Sequence, residues 1–157
     1  MLVRTMQVED SERVAILSDQ LGYPTTAVSI EERFHILSRL PGNAMFVAED
    51  EDGLIIGWAH VCGIHLLESE GYAEVGGLVT DSNFRRRGVG RSLMQAVEEW
   101  SKANGFTNTR LRSGMHRDEA HLFYRSIGYE AVKTSLLFQK FVERTDRSPT
   151  LELRSPP

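Results

Sequence analysis

Three arginines followed by two spaced glycines, Arg85-Arg86-Arg87-Gly88-Val89-Gly90-Arg91-Ser92, stand where a strand-like pattern gives way to a helical one. Upstream, Tyr72 to Thr80 reads as a strand. Downstream, Val89 to Ala103 places Val89, Leu93, Ala96, Val97, Trp100 and Ala103 on one apolar face, with Arg91, Gln95, Glu98, Glu99 and Lys102 opposite. A turn that enters a helix through glycines leaves first-turn N–H groups without intrahelical partners, at the positive end of the helix dipole. Such groups hold phosphate oxygens, and glycine lets the backbone approach its anion closely. The question the sequence poses is which phosphate compound binds there.

The rest of the chain interleaves strands and helices. Leu2 to Met6 reads as a short strand, and Asp10 or Ser11 caps a helix bearing Val14, Ala15, Leu17 and Leu21 that Gly22 stops. Ser29 and Glu32 predict a capping box for a second helix carrying Ile30, Phe34, Leu37 and Leu40, ended by Pro41-Gly42. Ala44 to Ala48 and Leu54 to Leu67 read as strands joined by the acidic turn Glu49-Asp50-Glu51-Asp52-Gly53. After Asn104-Gly105, Thr107 to Arg112 reads as a strand, Asp118 to Ser126 as a short helix ended by Gly128, and Tyr129 to Val142 as a final strand or hairpin arm. The hairpin-like middle predicts a single-domain α/β (α+β) fold with a mixed sheet rather than a fully parallel one. The domain is expected over residues 1–142, with a polar tail over 143–157.

Composition narrows the function classes. At 157 residues the chain can bury a real core as one domain, and its net charge of -4 argues against a general nucleic-acid binder. The single cysteine, Cys62, rules out an internal disulfide framework and fits a reducing compartment. Met1 to Asp10 lacks a signal-peptide pattern, and no apolar run approaches the ~20 residues of a membrane span. A cytoplasmic protein with no membrane or nucleic-acid partner is expected.

Two common nucleotide signatures fail here. A Walker-type loop needs Lys-Ser/Thr after its last glycine, where this chain has Arg91-Ser92. A dinucleotide fingerprint needs three spaced glycines near the first strand, where this chain offers only Gly88 and Gly90, far into the sequence. Arg85-x-x-Gly88-x-Gly90, preceded by Leu78-Val79-Thr80-Asp81 and followed by Ala120-His121-x-Phe123-Tyr124-x-x-x-Gly128-Tyr129, resembles the GCN5-related N-acetyltransferase (GNAT) superfamily. The resemblance spans about Tyr72 to Tyr129.

That resemblance implies the GNAT fold, a mostly antiparallel mixed sheet with a splayed central strand pair and about four flanking helices. It also implies acetyl-coenzyme A as cosubstrate and no metal. The backbone of Arg86, Arg87, Gly88, Val89, Gly90 and Arg91, with Arg85 and Ser92 beside it, would cradle the pyrophosphate. Leu78, Val79 and Thr80 would pair with the pantetheine arm like an added strand. Gly76-Gly77 supports this independently, since paired glycines within a strand indicate a bulge or close backbone approach. Many members carry Asn where this chain has Arg117, which leaves the role of Arg117 open. Members commonly dimerise, so a homodimer is an open expectation.

Acetyl transfer to an amine requires that an ammonium with pKa ~10.4 lose a proton. Glu74, on the strand before the glycine pair, stands where GCN5-like members carry their glutamate base; a surface carboxylate without a chemical role is the plain alternative. Tyr124 is the candidate acid. A phenol of pKa ~10 protonating a thiolate of pKa ~8.5 is uphill by about 2 kcal/mol, so a strong hydrogen bond to the leaving sulfur is the expected form of help. Cys62, with His60 and His65 nearby, fits no strong nucleophile or metal motif. The reading is an N-acetyltransferase acting by direct transfer in a ternary complex; the alternative is a non-catalytic acyl-coenzyme A sensor or scaffold. Glu68, Glu70 and the acidic turn are candidates for attracting a cationic acceptor, although a solvated loop explains them equally. Protein N-terminus, lysine, polyamine, amino acid and aminoglycoside all stay open as acceptors.

Overall fold

A computed structural model of the chain describes residues 1–142; the expected polar tail lies outside the described residues. Five strands form one sheet in the order β1 (Leu2–Thr5), β2 (Asn43–Glu49), β3 (Ile55–Ile64), β4 (Tyr72–Thr80) and β5 (Thr109–Leu111). The first three pairings are antiparallel and β4 runs parallel to β5. Helices α1 (Ser11–Leu21) and α2 (Ala27–Leu37) cover one face, and α3 (Val89–Ala103) covers the other. Helix α4 (Asp118–Ser126) follows β5. This is the mixed sheet with four helices that the sequence predicts.

Each face has its own core. On one side Val89, Leu93, Met94 and Val97 of α3 pack on Ala59, Val61, Ala73 and Val75. On the other, Val14 and Leu17 of α1 pack with Met6 on Val47, Ile55 and Val79. Fully burying such side chains contributes about 1.5–3 kcal/mol each, which is what pins β3 and β4 between the two layers. The α3 stripe is rotated slightly from the expected one. Met94 and Ser101 are buried and Ala103 is exposed, because Ser101 satisfies its hydroxyl on the Val97 carbonyl at 2.7 Å.

Local rules fix the ends of α1 and α2. Gly22 adopts φ +94° and closes α1, as expected. Asp10 holds the N-cap position of α1, but its carboxylate accepts from Gln7 N–H and from Arg4 instead of capping the helix. The capping box expected at Ser29 and Glu32 does not form. Thr26 caps α2, taking the Ser29 N–H at 3.2 Å, because its extended backbone aims the hydroxyl at the third helical amide.

Three strand expectations need correction. The strand expected over Leu54 to Leu67 is Ile55–Ile64. The strand after α3 is only Thr109–Leu111, since it pairs with β4 only over Ala73–Val75. The final strand expected over Tyr129 to Val142 is not formed. Val132, Leu136, Leu137, Phe138, Phe141 and Val142 are all at least 82% exposed, and among the described residues no strand pairs with that segment.

Candidate active site

The site begins with a break in the sheet. His60 pairs with Gly77 and Val61 with Val75, so Gly76 is an extra residue on β4 and makes a bulge there. Before the bulge, β4 has β5 beside it; beyond it, Gly77 to Thr80 have no neighbour on that side among the described residues. The two strands therefore diverge, leaving the backbone of Leu78, Val79 and Thr80 available on the open edge. Both glycines of the pair are required sterically. A Cβ at Gly76 would lie 2.9 Å from His60 Nδ1, and one at Gly77 would lie 2.6 Å from the Trp58 ring.

The divergent edge leads to the start of α3. Asp81, buried, accepts from Asn83 N–H and pairs with Arg13 of α1, which fixes the turn after β4. Arg85, Arg86, Arg87 and Gly88 are exposed, with Arg86 at φ 61° and Gly88 at φ 83°. Gly88 is the N-cap and offers no side chain, so no side-chain cap closes the first turn of α3. Val89 is buried beneath the turn. A Cβ at Gly90 would lie 3.1 Å from Phe123 Cζ and 3.5 Å from Thr80 Oγ1, so the end of β4, the start of α3 and α4 converge there. Ser92 lies one turn in and donates its N–H to the Gly88 carbonyl. Arg91 reaches the Ser126 carbonyl on α4, and Arg87 stacks over Phe84 at 5.2 Å. Uncapped amides, the dipole and four arginines make this corner suited to a pyrophosphate.

Glu74 stands opposite Cys62 on the sheet face that carries α1 and α2, two residues before the bulge. At about 3.3 Å per residue, its Cα is about 7 Å from that of Gly76. Its Oε1 accepts from Arg112 Nε at 3.0 Å. Burial, and then the Glu74 charge, push the Cys62 thiol up, so it stays a thiol. Tyr124 on α4 is half-buried against Phe123 and Tyr129. Burial raises its pKa, with the Arg117 charge opposing, so the phenol keeps its proton at neutral pH. Arg117 itself donates to the Leu21 carbonyl at 2.9 Å and joins the start of α4 to the end of α1.

His60 is the site residue that sequence reasoning passed over. Its Nε2 lies 3.1 Å from Asn43 Oδ1; with Nε2–H donating there, Nδ1 is unprotonated on the Gly76 side. Burial lowers its pKa, which keeps the ring neutral. The alternation of β3 was the available signal, since it puts Trp58, His60 and Cys62 on one face. A cleft of about 380 Å³ opens beside His60 and Gly76, between the sheet, α1 and α2.

The sequence model of the Acetyltransferase (GNAT) family matches residues 12–129. This chain belongs to that family. As a GNAT enzyme it is an acetyl-coenzyme A-dependent N-acetyltransferase. It is 27% identical over 125 residues to an aminoglycoside N(6')-acetyltransferase type 1 of Stenotrophomonas maltophilia, covering 77% of this chain and 81% of the relative. It is 31% identical over 70 residues to N-acetyltransferase family 8 member 3 of Rattus norvegicus, covering 45% of this chain but only 30% of that protein. A GNAT family acetyltransferase of Staphylococcus aureus superposes with a TM-score of 0.73 at 25% identity, covering 88% of this chain and 98% of the other. Among the described residues, no helix of this GNAT chain is long and apolar enough to cross a membrane.

Proposed function

We propose that this GNAT enzyme acetylates a small-molecule primary amine by direct attack within a ternary complex. The observation that carries the reading is the junction of the Gly76 bulge with the uncapped start of α3. In this reading Arg85 to Ser92 hold the pyrophosphate and the open edge at Leu78, Val79 and Thr80 pairs with the pantetheine amides. Acetyl-coenzyme A supplies an activated thioester. Glu74 takes the ammonium proton, directly or through one water. The freed nitrogen bonds to the acetyl carbonyl carbon while N–H donors of the open strand receive the oxygen charge, and the carbon–sulfur bond breaks. Tyr124 O–H hydrogen-bonds to the departing sulfur, and the second proton that the nitrogen sheds as the amide forms passes to that sulfur, which leaves as the coenzyme A thiol. The test is release of coenzyme A thiol with a panel of primary amines. Turnover with one or more supports transfer; tight cofactor binding with no turnover on any amine indicates a sensor.

A homodimer completes this reading. Among the described residues the outer edge of β5 has no strand beside it, and the apolar side chains between Val132 and Val142 are exposed in one copy. An open sheet edge and an unpaired apolar segment in the same chain are complementary, so a second copy covers both.

A further inference from the structure

The cleft beside the bulge has a composition that selects among amines. Its walls are Ile30, Phe34 and Leu37 of α2, Met45 of β2 and Trp58 of β3. Helix α2 buries none of its residues fully; Ile30 and Phe34 pack partly on the core and leave the rest of their surface as lining. Among the described residues no Asp or Glu lines the cleft, and the one formal charge is Arg33, at the mouth, donating to Thr25 Oγ1 at 3.2 Å. The other polar groups are largely committed: Ser18 Oγ donates to the Val14 carbonyl, and His60 is held by Asn43. Trp58 Nε1 is a buried donor without a partner. The acidic turn does not reach the cleft, and Glu49 within it is taken by Arg4 at 2.7 Å.

Resting on the transferase reading, we infer that the acceptor is a primary amine on an apolar, aromatic-sized body that carries one positive charge. A single ammonium entering toward Gly76 gives up its proton there, so no permanent counter-charge is needed. A polycation would have to bury further ammonium groups against Phe34, Met45 and Trp58, with Arg33 repelling them. Desolvating a charge without a partner costs several kcal/mol. The cleft volume is at the lower end of the ~300–1,000 Å³ that small-molecule sites span, which suits one ring and a short chain. A carboxylate on the same body is tolerated, because Arg33 keeps guanidinium N–H groups beyond its bond to Thr25 to meet it from the mouth.

The experiment compares kcat/KM for 2-phenylethylamine, spermidine and the aminoglycoside kanamycin in the full chain and in two variants. The expected result is a preference for phenylethylamine over either polycation of at least about 100-fold. R33E, at an exposed position, should raise the spermidine value by about 10-fold or more. F34D should abolish the preference. Equal or better turnover of spermidine or kanamycin by the unaltered protein overturns the inference, as does a preference that neither variant moves. If no amine is turned over, phenylethylamine is titrated calorimetrically into protein saturated with coenzyme A. Binding that F34D removes upholds the cleft assignment while ending the transferase reading; no binding ends the cleft assignment itself.

Discussion

In the proposed mechanism Tyr124 and Glu74 divide the proton work between two different environments. Tyr124 is half-buried, with a raised pKa, so its contribution is a hydrogen bond to sulfur and not a free proton at neutral pH. Tyr124→Phe should lower kcat by about 10- to 100-fold and leave the acetyl-coenzyme A Kd within about 2-fold. Steady-state kinetics beside equilibrium binding checks this, and equal turnover would remove Tyr124 from the chemistry. Glu74 is exchanged against a different probe. Glu74→Gln should depress kcat/KM most at lower pH, where more acceptor arrives protonated and needs a base; a pH profile parallel to the parent enzyme would exclude the role. Both residues are proposed from the sequence through their place in the loop, strand and Phe-Tyr helix pattern. His60 was not legible there, because a histidine in an apolar strand reads as core until the register puts its Nδ1 against Gly76. Arg117 was legible only as a departure from the family pattern, and its bond to the Leu21 carbonyl depends on a contact between residues 96 apart.

At the scale of elements, the long amphipathic helix and the glycine-ended helices follow closely from local rules. Residues Val89–Ala103, Asp118–Ser126 and Tyr72–Thr80 have the bounds that periodicity predicts. The cap of α2 was misread because Thr26 and Ser29 offer equivalent hydroxyls, and only the extended backbone at Thr26 decides between them. The start of α1 shows a cap diverted to a larger task. Burial works against the Asp10 charge, yet two bonds from Arg4 and one from Gln7 N–H outweigh it and hold the carboxyl below its usual range. A depressed folded pKa adds stability that is present above the unfolded value and is lost as pH falls through the folded one. Asp10→Asn should therefore cost about 2 kcal/mol at pH 7, with the gap to the parent protein closing below pH ~4. Urea unfolding at several pH values checks this, and a constant gap would contradict it.

For the whole molecule, the misread segment is the informative one. Residues 132–142 have the β-branched and aromatic content of a strand, but a strand needs an edge to pair with. Within one copy that segment lies exposed, and pattern alone cannot say whose edge it uses. Sedimentation of the full chain at micromolar concentration should show a dimer, and Leu136→Lys with Phe138→Lys should shift it to monomer. A monomeric parent protein would contradict the dimer. The same scale carries the central claim, that the start of α3 and the open edge of β4 together hold acetyl-coenzyme A. Isothermal titration of folded protein with acetyl-coenzyme A tests it most directly. The account predicts saturable binding of one molecule per chain, much weaker for an acetylated pantetheine that lacks the pyrophosphate. Absence of binding heat at several temperatures, or equal affinity for the two ligands, would contradict it.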